Sequence, residues 1–484
     1  MKKSIFIVFI TAVFLSCDTD GTMSSLNAGF DNEFQGNQYN DTGENPFILT
    51  SEEAISTFSI DADGGSYANS RRILQTENRI PIANAIRIEE FINYFDMQYD
   101  DDSSTRPITL NGEVTSCPWN TDHRLARIGV KGRDIDLDNA PATNYVFLID
   151  VSGSMSSVNK LDILKQGFEL LTDQLTANDR ISIVTYAGSN SVVLSGVSGD
   201  QHTTIKNAIQ YLGSGGGTAG ASGIITAYEI AQNNFIPNGN NRIILGTDGD
   251  FNIGISDQDS LISLIEDKRE SGVYLTVLGV GYGNLNEGTL EQIANKGNGT
   301  YEYIDKVAQL EKVFIHERNK FYTAAKDVKI QIEFSPDEVE SYRLIGYENR
   351  ILGTEDFNDD TEDAGEIGRG QSITALYEIV PSSTASNQAL PSLKVNARYK
   401  EATGTSSNLL IHEIIDENLS FDLGTDAHRF SAGIAAFTLV MRDSQYRGNA
   451  TYLMSSSLLQ QASMNDPHGY KSELEQLVQL ASGF

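Results

Sequence analysis

Asp150 closes an apolar run, Tyr145 to Ile149, and two serines follow it at every second position, Ser152 and Ser154. One carboxylate and two hydroxyls are thereby aimed at one place, with Gly153 between them to let the backbone bend. Thr218 stands 68 residues further on, after the glycine-rich stretch Gly213 to Gly217, at the start of a helical pattern. Asp248, 98 residues after Asp150, ends a second apolar run, IILGTDG. These five side chains offer oxygen only, with neither Cys nor His. An all-oxygen set suits a hard cation: Mg²⁺ first, with Mn²⁺ or Ca²⁺ as alternatives. Mg²⁺ asks for six oxygens and keeps waters, so part of its shell stays open. An acid from a partner could take that open place.

Such donors converge only if strand ends and loops deliver them. From residue 140 to 315 short apolar strands alternate with helices. Strands are expected at 145–149, 181–186, 242–245 and 274–280, with 192–194 as an antiparallel edge neighbour. Helices are expected through Val158, Leu161, Leu164, Phe168, Leu171 and Leu175, through Ile224, Ile225, Tyr228 and Phe235, and over 260–269. That alternation implies a mainly parallel sheet covered on both faces, the α/β class. Ligands of such sheets bind beyond the carboxyl ends of the strands, where Asp150 and Asp248 stand.

The pattern changes on either side. DVKIQIEF, SYRLIGY, SITALYEIV and LKVNARYK alternate apolar and polar residues and predict a β-sandwich over 316–424. Strands at 106–139 are expected to join that sandwich, with the α/β unit inserted between them and it. Residues 51–105 read as a helical segment, with Ile82, Ile86, Phe91 and Phe95 on one stripe after Pro81. Residues 425–484 read as helical, with Phe430, Ile434, Phe437 and Met441 on one face.

Residues 1–17 read as a signal peptide: Lys2 and Lys3, an apolar run from Ile5 to Leu15, then Ser16 and Cys17. FLSC resembles a bacterial lipobox, in which the cysteine is lipidated; it departs from the usual pattern by placing Phe14 where leucine is common. An ordinary cleaved signal and a retained anchor are the alternatives. Residues 18–50, rich in Gly, Asn, Asp and Ser, read as a flexible tether. The protein is thus expected in the bacterial cell envelope, held to the membrane through Cys17, on the outer membrane or cell surface. The other cysteine, Cys117, is expected to be a small buried hydrophobe, with no disulfide.

The chain of 484 residues carries 35 Lys and Arg against 66 Asp and Glu, a formal net charge of −31. That sign argues against nucleic acid as a partner. No Gly-Lys-Ser/Thr follows the glycines at 213–217, which argues against nucleotide. The six histidines are scattered, without an HExxH or Cys-His cluster, so a catalytic zinc is not expected. No Gly-x-Ser-x-Gly occurs, and Ser152 has no motif offering it a base, so no catalytic residue is assigned. Asp61-Ala-Asp63-Gly64-Gly65 lacks the spaced oxygens of a calcium loop and reads as a turn or helix cap. The acidic stretch Asp356 to Glu366 reads as a solvated sandwich loop, with a second cation site as the alternative.

Asp-x-Ser-x-Ser after an apolar strand, a Thr before a helix and a later Thr-Asp-Gly resemble the von Willebrand factor A (VWA) domain. The resemblance implies a Rossmann-like fold and a metal ion-dependent adhesion site, with Asp150, Ser152, Ser154, Thr218 and Asp248 in its five places. STFSIDADGGSYANSRR, AIRIEEFINYF, ATNYVFLIDVSGSM, ILGTDGDFNIG, RLIGYENR and FNDDTEDAGEIG are similar to the YfbK-type bacterial VWA proteins. The expected function is an envelope-anchored, non-enzymatic binding protein whose cation captures an Asp or Glu of a partner protein. The alternatives are a structural scaffold with a vestigial metal site and a metal-dependent hydrolase.

Overall fold

Tyr145, Phe147 and Ile149 lie in one hydrophobic core, while Val146 and Leu148, alternating with them, lie in another. A strand buried on both faces needs apolar residues at every position, which is why this run shows no polar alternation. The structure, a computed structural model, describes residues 39–101, 105–217, 220–249, 258–283, 285–383 and 391–484. Cys17 and Thr218 lie outside the described residues.

The α/β sheet has six strands in the order Tyr301–Ile304, Tyr274–Val280, Asn240–Thr247, Thr143–Asp150, Arg180–Tyr186 and Asn190–Ser198. All neighbours are parallel except the last pair. The chain runs from the strand Thr143–Asp150 first to one side and later to the other. The topological switch point therefore falls between Asp150 and the end of Asn240–Thr247. Helix Leu161–Thr172 packs Leu164, Phe168 and Leu171 on one face of the sheet. Helices Gly220–Asn233 and Glu287–Lys296 pack Ile224, Tyr228 and Leu290 on the other. Each fully buried side chain of this kind contributes roughly 1.5–3 kcal/mol.

Two antiparallel sheets form the sandwich. One runs Ile48–Leu49, Val339–Ile345, Ser372–Pro381, Asn120–Gly132, Ile108–Cys117. The other runs Ile351–Leu352, Ile55–Ser59, Thr323–Phe334, Pro391–Glu401, Ser407–Ile415, with Gly365–Gly368 also paired to Thr323–Phe334. Strands from before and after the α/β unit share the first sheet, so that unit is an insertion in the sandwich.

Several sequence expectations are corrected. The tether does not extend to residue 50. The Asn45 amide donates to the carbonyls of Leu344 and Gly346, Gly43 O accepts from Arg442, and Ile48–Leu49 pairs with Ser341 and Tyr342. Residues 51–105 are not purely helical, because Ile55–Ser59 is a sandwich strand. Ile82 is exposed and precedes a short 3₁₀ turn, so the helix there spans only Ile88–Asn93. Val158 is 77% exposed, and its helix begins only at Leu161. The helical stretches at the two ends form a single layer: Tyr67, Phe91 and Phe95 pack with Phe430, Ile434, Phe437 and Leu477 around Trp119. No helix among the described residues is long and apolar enough to cross a membrane.

Cys117 is a free, buried thiol, held well above its usual pKa by burial and then by the charge of Glu378. Thiolate is the reactive form. A thiol reagent is expected to leave Cys117 unmodified in the native protein and to label it once the chain is unfolded, by intact mass. Rapid labelling of native protein would contradict this burial.

Candidate metal centre

Asp150 is the last residue of its strand and is fully buried. Its Oδ1 accepts from the Ser152 amide at 2.9 Å and its Oδ2 from Thr247 Oγ1 at 3.2 Å, so the carboxylate has a set orientation. The first of these bonds is the turn that sends the chain sideways off the sheet. It brings Ser152 Oγ and Ser154 Oγ to 3.0 Å from each other. The glycine-rich loop is stitched over them: Gly153 N donates to Gly216 O at 3.1 Å, and Gly215 N to Val151 O at 2.7 Å. A Cβ on Gly153 would stand 3.4 Å from Gly216 O, in ordinary van der Waals contact, so the two loops lie close together at this point.

Asp248 follows the neighbouring strand and is also fully buried. Burial, followed by the charge of Asp248, raises the pKa of Asp150, while its hydrogen bonds from Ser152 and Thr247 oppose that shift. Two buried carboxylates repel each other and call for positive charge. Part of it is already present: Lys160 Nζ lies 2.9 Å from Asp248 Oδ2, with side chains 9% and 0% exposed. Asp150, Ser152, Ser154 and Asp248 thus stand on adjacent strand ends and the loop leaving one of them. The oxygen-only donor set fits a hard divalent ion. One carboxylate charge of the pair is left over after Lys160.

Lys160 was not singled out in the sequence. Its only signal was a cation between the serine loop and the following helix, in SSVNKLD. Exposed apolar side chains occur on two loops leaving this end of the sheet, Val158 and Tyr282, and at the C-terminal end of the helix His202–Gln210, Tyr211. On the far edge of the sheet, 188–200 is largely the strand Asn190–Ser198. Most of 249–258 lies outside the described residues.

A second concentration of carboxylates was read in the sequence only as a turn at Asp61 and Asp63. The turn is present, with Asp63 N donating to Asp61 Oδ1 at 3.0 Å, but both acids are buried. One oxygen from each of Asp61, Asp63 and Glu291 lies within 4.8 Å of the others. Arg350 reaches all three, at 3.2 Å to Asp61, 3.6 Å to Asp63 and 3.2 Å to Glu291. Arg87 pairs with Glu89 and Glu90 close by. Asp63 Oδ1 also accepts from Tyr301 N at 2.8 Å, which covers the free edge of the α/β sheet. This cluster joins three parts of the fold.

The acidic stretch at 356–366 is less solvated than expected. Asp363 pairs with Arg269 and Lys296, Asp360 with Arg398, and the carbonyls of Asp356 and Asp359 accept from Lys329.

Comparison with known proteins agrees with this architecture. Three family descriptions match: "von Willebrand factor" over residues 33–127, "von Willebrand factor type A domain" over 145–250, and "Uncharacterized protein YfbK, C-terminal" over 319–484. The fold and the matched domains define a VWA-domain protein. The chain is 38% identical to the YfbK protein of Escherichia coli K12 over 472 residues, covering 92% of this chain and 81% of that one. It belongs to the YfbK family. A more distant relative is the magnesium-chelatase 67 kDa subunit of Chlorobaculum tepidum, 24% identical over 220 residues, covering 40% of this chain and 35% of that one. Among solved structures, a von Willebrand factor type A protein from Catenulispora acidiphila is 18% identical, with a TM-score of 0.47, covering 78% of this chain and 91% of that one.

Proposed function

We propose that this protein is an envelope-anchored binding protein. In this reading Asp150, Ser152, Ser154, Thr218 and Asp248 hold a divalent cation, Mg²⁺ in the first place, with Mn²⁺ or Ca²⁺ able to replace it. The open coordination place takes an Asp or Glu of a partner protein, and lipidated Cys17 holds the molecule to the membrane. The observation that carries this reading is the pair of buried carboxylates and paired serine hydroxyls at the switch point, with less positive charge than the acids require. VWA domains serve protein–protein interaction and adhesion, and the exposed Val158, Tyr211 and Tyr282 give a partner apolar surface to rest on. A catalytic role has less support: the side-chain partners of Ser152 are Ser154 and Asp150, both members of the proposed cation set.

Calorimetry with Mg²⁺ tests the site. Wild type is expected to bind one ion, and Asp150→Ala to lose at least about tenfold in affinity, about 1.4 kcal/mol. Equal affinity in the two proteins would refute the assignment. Capture of partners from an envelope extract, with Mg²⁺ and then with EDTA, tests the second half. Capture unaffected by EDTA would favour the scaffold reading, to which the Lys160–Asp248 ion pair lends some support.

A further inference from the structure

Asp248 already has a cation on it. Lys160 Nζ sits 2.9 Å from Asp248 Oδ2, and the lysine stem is threaded through a passage made for it. Gly281, at the end of the next strand, has φ +77° and no side chain; a Cβ there would collide with Lys160 Cε and Cγ. Gly281 O accepts from Tyr303 OH at 2.7 Å, which holds the wall of the passage in place. Asp150, by contrast, has no ion pair among the described residues.

We infer that Lys160 is a built-in competitor for the divalent cation, an ammonium that occupies the Asp248 side of the site and must move aside for the metal to bind. The inference rests on the cation reading proposed above. The reason is electrostatic: a divalent ion at Asp248 and an ammonium 2.9 Å from that same carboxylate repel each other in a site with little water to screen them. Lys160 therefore sets the cation concentration at which the site fills. It also holds Asp248 as an ion pair below that concentration, so the strand end carries no bare buried charge. Loading exchanges a tethered monovalent cation for a free divalent one, and the flexible four-carbon stem lets the ammonium swing out toward solvent.

Two measurements test this. In Lys160→Met, Mg²⁺ affinity by calorimetry is expected to rise at least about tenfold over wild type. In unaltered protein, acylation of Lys160 by an amine reagent, read by peptide mass mapping, is expected to rise several-fold when Mg²⁺ is added. Affinity unchanged or lowered in a Lys160→Met protein with a wild-type unfolding midpoint overturns the inference. So does acylation indifferent to Mg²⁺ in a wild type that binds the ion, and this arm decides the matter if Lys160→Met fails to fold. If neither wild type nor Lys160→Met binds Mg²⁺, the cation reading itself falls and the inference falls with it. Binding in both at equal strength overturns the competitor alone.

Discussion

Raising the pH from about 5 to about 9 is expected to destabilise this protein, and Glu287→Gln is expected to remove much of that dependence. Glu287 lies at the start of the helix Glu287–Lys296 and is buried, with Oε1 making no hydrogen bond among the described residues. Burial first, and then the charge of Glu291 on the next turn, push its carboxyl up to about 8 from an ordinary 4.5, with Arg87 opposing. In the fold it is therefore protonated, whereas in the unfolded chain it ionises near the ordinary value. Between those two values the unfolded state releases its proton while the folded state keeps it, so stability falls as pH rises. The contribution is fully present below about 4.5 and lost by about 8, at about 1.4 kcal/mol per pH unit, or up to about 5 kcal/mol in all. Asp63 and Glu90 are shifted in the same direction, chiefly by burial, and add to the slope. Glutamine keeps the shape and stays neutral. Denaturant midpoints at pH 5.5 and 8.5 should differ clearly in wild type and much less in Glu287→Gln; the same difference in both would refute the account.

The second large effect is expected at Arg71. Its guanidinium is buried and spends every donor. Nε and Nη2 hold Asp305, Nη1 holds Tyr94 OH at 2.9 Å and Glu473 at 2.8 Å, and Nη2 also reaches Gln309 at 3.0 Å. Arg71 belongs to the first helix, Asp305 and Gln309 follow the last strand of the α/β sheet, and Glu473 lies on the final helix. One side chain therefore ties together three segments far apart in the chain. Arg71→Met would leave Asp305 buried without its counter-ion, and breaking a buried pair in this way costs about 3–5 kcal/mol. Arg71→Lys keeps the charge but loses the planar fork and should restore only part of the stability. Arg71→Met combined with Asp305→Asn should lose less than the sum of the two single variants, because the stranded charge is gone. Strict additivity in denaturant midpoints would show that the two residues do not act as a pair.

The readable parts of the chain were those where neighbouring residues suffice. The run Tyr145 to Ile149 announces a strand buried on both faces, and the acid and serines after it announce a turn that points oxygens off its end. The alternating strands after residue 316 are equally local, as is the face Phe430, Ile434, Phe437 and Met441. Ile48–Leu49, by contrast, has two residues and no periodicity; it is a strand only because Ser341 and Tyr342 offer it an edge. Val158 continues the helical spacing but lies outside the helix, which starts after Lys160 has turned toward Asp248.

The same division applies to the charged residues. Apolar periodicity and the chemical type of each donor are properties of short stretches, so the α/β unit, the sandwich strands and the oxygen set at Asp150, Ser152, Ser154 and Asp248 could be read directly from the amino acids. Whether an acid ends in water or in the interior depends on cations far away along the chain, 88 positions for Lys160 and Asp248 and 289 for Arg350 and Asp61. Asp61 and Asp63 looked like an ordinary turn until Arg350 and Glu291 closed over them, and Asp248 looked open until Lys160 reached it. A charge can be buried only where folding brings a counter-ion or a proton to it, and that meeting has no signature in the residues on either side.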